Sequence, residues 1–228
     1  FIGLGKTSTE AWITIDSHDH QTNQCFLLPS DLESLDPIAV TDWIPELEYE
    51  VEQVGDCLLL RANHQHPDYA LFVAPMPTAT QNSNPEHWRL LWAPDVGELF
   101  SDYEALASHW VLEISHEGCG RYLICEANLE TLDIRMSIPL PTTIHDSHID
   151  PLPGHNRDKI RMRYSTPATP PSVLEIDLTT GKQETLKVSV PPNGHDSAHY
   201  VVKRHYGVSG DGTRIPLTIV HHRDVTPS

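Results

Sequence analysis

Two histidine pairs, His18-Asp19-His20 and His64-Gln65-His66, have the alternate spacing that sets two imidazoles on one strand face, from which a divalent metal site is built. Both pairs fall at the same point of an internal repeat. The third and fourth copies read His116-Glu117-Gly118 and Thr166-Pro167-Ala168, and no further ligand stands at a fixed distance. His, Asp and Asn are tolerated in turn conformations, so the pairs read as hairpin tips and no metal ligand is assigned. His221-His222 adds nothing to this.

Two other motifs fail on their context. Gly5-Lys6-Thr7 matches the end of a phosphate-binding loop, but such a loop must run into a helix, whereas Glu10 to Ile15 alternates as a strand. Gly207-Val208-Ser209-Gly210-Asp211 approaches the G-x-S-x-G nucleophile elbow, yet Asp211 stands where the last glycine belongs and the motif sits in a hairpin turn. Ser209 therefore reads as a turn residue. No catalytic residue, cofactor-binding residue or cofactor is assigned. The cysteines Cys25, Cys57, Cys119 and Cys125 lack C-x-x-C spacing, fall largely in strands and read as free and buried, which suits a reducing, cytoplasmic setting.

The elements that carry these residues recur. Ala11 to Leu28, Cys57 to Ala74, Trp110 to Ala127 and Lys159 to Asp177 each give an apolar strand, a small polar residue (Ser17, Asn63, Ser115, Ser165) and a second strand. The spacings are 46, 52 and 50 residues, and Phe26, Phe72, Ile124 and Leu174 keep one offset in the second strand. That is close to the roughly 40 to 50 residues of a four-stranded propeller blade. The period is two, with Ile13 and Ile15 alternating with Trp12 and Thr14, which predicts strands. Trp12 and Trp110 share a repeat position and read as core packing between blades rather than as a ligand cage. About four such units fit in 228 residues, so the chain is an all-β partial propeller, either a small ring or a piece of a larger one.

Composition agrees with a folded β domain: 39% hydrophobic residues, 19 prolines, and no apolar run long enough to span a membrane. The formal charge of −17, from 32 acidic and 15 basic side chains, argues against nucleic acid and anionic membranes as partners and favours basic ligands. Pro77 to Pro85 and Pro139 to Asn156 read as loops, and Gln183 to Val190 as an exposed outer strand after the turn Thr180-Gly181-Lys182. Pro191-Pro192-Asn193-Gly194 breaks the pattern and marks the domain boundary. The expected organisation is a propeller domain at 1–190, a linker at 191–199, and a different unit at 200–228. In that unit Tyr200 to Tyr206 and Ile215 to His221 flank the turn Ser209 to Thr213. An isolated hairpin is not self-sufficient, so the natural polypeptide is expected to continue.

Two stretches carry a family resemblance. Leu4-Gly5-Lys6-Thr7-Ser8, followed by a strand and Ser17-His18-Asp19-His20-Gln21-Thr22, resembles the propeller of the oligopeptidase B branch of the prolyl oligopeptidase family of serine peptidases. Tyr200, Arg204, Ser209 to Thr213 and Ile215-Pro216 resemble that family's crossing from propeller to α/β-hydrolase domain. The resemblance spans nearly the whole chain. It implies about four blades of a seven-bladed ring, with the terminal hairpin leading into a hydrolase domain absent from this sequence.

The implied function is the non-catalytic, substrate-gating part of a serine oligopeptidase that cuts short peptides after Arg or Lys, partnered by its own hydrolase domain and by short, basic peptides. The fragment alone is expected to be inert, because the Ser-His-Asp triad lies elsewhere. A post-proline oligopeptidase shares the architecture. A standalone propeller acting as an interaction module without enzymatic activity is the alternative outside the enzyme class.

Overall fold

A computed structural model describes residues 1–225. Among them the chain forms 18 strands, two short 3₁₀ turns and no α-helix, and no helix is long and apolar enough to cross a membrane. Sixteen strands make four antiparallel sheets of four, each in sequential order. The first holds β1 (Ile2–Lys6), β2 (Trp12–His18), β3 (Asn23–Pro29) and β4 (Ile38–Ala39). The second holds β5 (Tyr49–Val54), β6 (Cys57–Ala62), β7 (Ala70–Pro75) and β8 (Arg89–Trp92), and the third β9 (Glu98–Ala105), β10 (His109–His116), β11 (Cys119–Glu126) and β12 (Ile134–Ser137). The fourth holds β13 (Asp146–Asp150), β14 (Lys159–Thr166), β15 (Thr169–Asp177) and β16 (Gln183–Val188), and β17 (Tyr200–Val208) pairs with β18 (Arg214–His222). Each sequence repeat is the central hairpin of one sheet.

The chain divides into two compact units, one of residues 1–114, 123–136 and 153–157, the other of 115–122, 137–152 and 158–228. In the first unit the second sheet explains why the runs Leu58–Leu60 and Ala70–Ala74 are apolar at successive positions. Ala70, Phe72 and Ala74 of β7, with Leu58, Leu60 and Ala62 of β6, face one core with Cys25, Leu27 and Tyr49. Leu71, Val73 and Leu59 face another with Phe100, Trp110, Leu112 and Ile114. Side chains alternate across a strand, so a sheet covered on both faces needs apolar residues at both parities. In the second unit Ile160, Met162, Tyr164, Leu174, Ile176 and Leu178 are buried, while β16 is largely exposed, as an outer strand should be.

Three expectations need correction. Phe26, Phe72 and Leu174 do not share one ladder position: Phe26 faces Ile15, two residues before Ser17, whereas Phe72 faces Leu60 and Leu174 faces Met162, each three before its polar residue. The connecting tips span 19–22, 63–69 and 167–168, and a bulge between Tyr164 and Thr166 shifts the fourth hairpin, so that its short tip gives Leu174 the offset that the long tip gives Phe72. Phe26 is accordingly half-buried while Phe72 and Leu174 are buried. The stretch Pro139 to Asn156 is not wholly loop, because Asp146–Asp150 pairs with β14 as an edge strand whose polar residues hid it. All four cysteines are free, but only Cys25 and Cys125 are buried, while Cys57 and Cys119 are partly exposed.

Candidate functional site

The structure places the singled-out residues as follows. His18 Nδ1 lies 3.0 Å from Asp16 Oδ2 and its ring stacks on Phe1, which also meets His20 edge-on. His64 and His66 pack against Phe72, and His64 also against Trp88, and burial lowers the His64 pKa. Among the described residues no group of three His, Cys, Asp or Glu side chains is placed to hold a metal. The left-handed backbone of the second tip falls on Gln65 and Tyr69, not on the histidines. Ser209 lies in the turn between β17 and β18, bonded to Asp211. Lys6 ends β1, and Thr7 bonds back to Trp12, so Gly5-Lys6-Thr7 belongs to a hairpin and not to a helix start. Trp110 is fully buried, and Trp12 packs half-buried on the neighbouring core.

A concave site does exist beside the first of these tips. Within the first unit a cavity of about 410 Å³ is lined by the end of β2, the start of β3, the start of β5, Arg61 of β6, and Tyr69 of the tip between β6 and β7. Its frame is a polar strut. Asn23 Oδ1 accepts from the Tyr49 N–H at 2.8 Å, and Asn23 Nδ2 donates to Tyr49 O and to Asp16 Oδ1, both at 2.7 Å. The Tyr49 hydroxyl accepts from the Cys25 N–H at 2.9 Å and bonds Thr41 Oγ1 at 2.9 Å, so the ring is fixed at both ends and burial pushes its pKa up.

The lining is acidic. Asp16, Asp19, Glu48 and Glu50 face the cavity with Arg61 as the guanidinium among them. Most of these carboxylates are held by neutral donors, which fix their position without cancelling their charge. Asp19 accepts from the Gln21 and Thr22 N–H groups at 2.8 and 2.9 Å, and these bonds, the Gln21 one first, lower its pKa. Glu48 accepts from the Tyr69 hydroxyl; burial and then this bond push the Tyr69 pKa to about 12. Arg61, largely buried, lies 3.4 Å from Glu50, donates to Phe100 O at 2.7 Å and stacks 3.9 Å over Tyr69. Burial raises the Glu50 pKa, and Arg61 opposes the rise. The four carboxylates against the one guanidinium give the wall a formal excess of three negative charges, which would draw a cationic group into the recess.

Sequence reasoning named Asp19 only as part of a tip and missed Glu48, Glu50, Arg61 and Tyr69. All four belong to the second sheet or its connections, Glu50 and Arg61 as direct cross-strand partners, and the packing of the first sheet sets them beside Asp16 and Asp19. The available signal was the alternation of Glu48, Glu50 and Glu52 on a strand that precedes an apolar hairpin.

Comparison with known proteins then bears on the whole chain. Residues 1–189 match the family model described as prolyl oligopeptidase, N-terminal beta-propeller domain. The chain is 23% identical to dipeptidyl aminopeptidase BI of Pseudoxanthomonas mexicana, over 99% of its own length and 30% of that protein's. It superposes on oligopeptidase B from Leishmania major with a TM-score of 0.86 at 21% identity, and on oligopeptidase B from Trypanosoma brucei with bound antipain at 0.85 and 20%. A prolyl endopeptidase structure gives 0.82 at 17% identity. Each superposition covers 99% of this chain and 32% of the other, so the chain spans about a third of the length of these relatives.

Proposed function

Because this chain belongs to the prolyl oligopeptidase family of serine peptidases, through its N-terminal β-propeller domain, we propose that it gates a peptidase that cleaves short peptides after Arg or Lys. The propeller contributes no nucleophile in this reading. It restricts access to the hydrolase domain so that only short or unfolded peptides enter, which also excludes water and wrong substrates. We read 1–190 as the propeller domain, 191–199 as a linker, and 200–228 as the first strands of the peptidase domain, of which 226–228 lie outside the described residues. In support, Ile215, Leu217 and Ile219 alternate along one face of β18 and are all exposed, as strands awaiting further cover would be. The free thiols support a reducing, cytoplasmic setting.

The observation that carries the preference for basic peptides is the acidic cavity, together with the net charge of −17. A negative recess concentrates cationic substrates and does so less at high salt. In the protein at its native length, the triple variant Asp19→Asn, Glu48→Gln, Glu50→Gln is expected to raise KM for Arg-containing peptides by about 3- to 10-fold with kcat kept, the mark of lost uniform binding. The salt dependence of KM should flatten in parallel. An unchanged KM and salt profile would remove the cavity from the account. The second reading, post-proline cleavage, is favoured by the likeness to a prolyl endopeptidase structure and predicts no effect of these charges.

A further inference from the structure

In the second unit the hairpin β17–β18 leans on the turn between β10 and β11 through polar groups. The Tyr206 hydroxyl donates to Glu117 Oε2 at 2.5 Å. Arg204 Nη2 donates to Glu117 O at 3.2 Å and reaches Cys119 Sγ at 3.0 Å, while its Nη1 donates to Thr218 Oγ1 at 3.0 Å on the paired strand. The Arg214 guanidinium sits 4.0 Å over the Tyr206 ring and holds it in place.

The turn beneath is strained in an informative way. Glu117 and Gly118 have φ of +50° and +76°, the consecutive positive values that a two-residue primed hairpin turn requires. Asn or Asp is preferred at the first of these positions, since each tolerates the left-handed region and Glu gains nothing there. A shorter Asn side chain would relieve the strain but would not carry a carboxylate out to Tyr206. Backbone strain of this kind persists where surrounding contacts over-determine it, and here the contacts are the ones made to β17.

We propose that the Glu117-Gly118 turn is a seat for the hairpin Tyr200–His222, closed by a reversible polar latch of Glu117 with Tyr206 and Arg204. The matched propeller residues end at 189, so the latch joins the propeller to the segment that follows it. Glu117 is exposed and Tyr206 39% exposed, so water can replace each bond as the latch opens. Closed, it lays Arg204 over the Cys119 sulfur. This reading stands apart from substrate class and from the acidic cavity.

The test uses Cys119 as reporter in the protein at its native length. Glu117→Asn and Tyr206→Phe are treated with iodoacetamide, and the alkylation rate of the Cys119 peptide is followed by mass spectrometry beside the thermal midpoint. Both variants should label about fivefold faster than the parent, since opening lifts Arg204 off a thiol that is only partly exposed in the closed latch. Glu117→Asn should do so with a midpoint equal to or above the parent's, because the turn loses its strain. A residue serving stability alone would move the two readouts together. Labelling at the parent rate in both variants, or faster labelling of Glu117→Asn with a lowered midpoint, would overturn the latch.

Discussion

Trp110→Ala is expected to lower the stability of the folded chain by about 3–5 kcal/mol, the range for deleting a large buried aromatic. Trp110 is completely buried in the core it shares with Phe100, Leu112 and Ile114. Its indole N–H has no hydrogen-bond partner, so the loss is one of packing and cavity formation rather than of polar contacts. Trp110→Phe should therefore recover much of the difference. Trp12, at the same repeat position, is only half-buried, and Trp12→Ala should cost about 1–2 kcal/mol by area lost. Urea denaturation with an unchanged slope and a shifted midpoint measures both. Equal losses at the two tryptophans would contradict the assignment of different environments to equivalent repeat positions.

Asn23→Ala is the second large effect, expected at about 2 kcal/mol. One side chain of intermediate exposure accepts from the Tyr49 N–H and donates to Tyr49 O and Asp16, tying the first sheet to the second. Removing it leaves the N–H of Tyr49, a residue 2% exposed, without that acceptor, and an unmet buried donor costs more than the bond was worth. Asn23→Asp keeps the acceptor for Tyr49 N–H, loses the amide donor, and sets a carboxylate against Asp16. Its stability should fall between those of Asn23→Ala and the parent at low pH, where the added acid is protonated, and worsen as pH rises. A pH-independent loss in Asn23→Asp would show that Asp16 does not face this side chain.

The central hairpins were legible because a sheet covered on both faces leaves long apolar runs, as in Leu58-Leu59-Leu60 and Ala70 to Ala74. The flanking strands were less so: β16 was readable as an exposed outer strand, but β4 is two residues and β13 reads Asp-Ser-His-Ile-Asp, because an edge strand need satisfy only one ladder and one partly wet face. Ladder register escaped for a related reason. Equal offsets in sequence say nothing of tip length, and Phe26 consequently lands one pairing step from Phe72. The turn at Ser209 was readable from Gly and Asp placement, and the first strand of its hairpin from the alternation over Tyr200 to Tyr206. The acidic cavity was not, since its carboxylates are ordinary in each repeat and become a group only when Asn23 and Tyr49 join two sheets.

The most direct test is kcat/KM of the protein at its native length on matched short peptides, one releasing a reporter after Arg and the other after Pro. The account predicts cleavage after Arg at least about 100-fold more efficient than after Pro, a discrimination of the size a site built for a charged side chain can supply. Cleavage after Pro in preference, or no hydrolysis of either peptide, would contradict it.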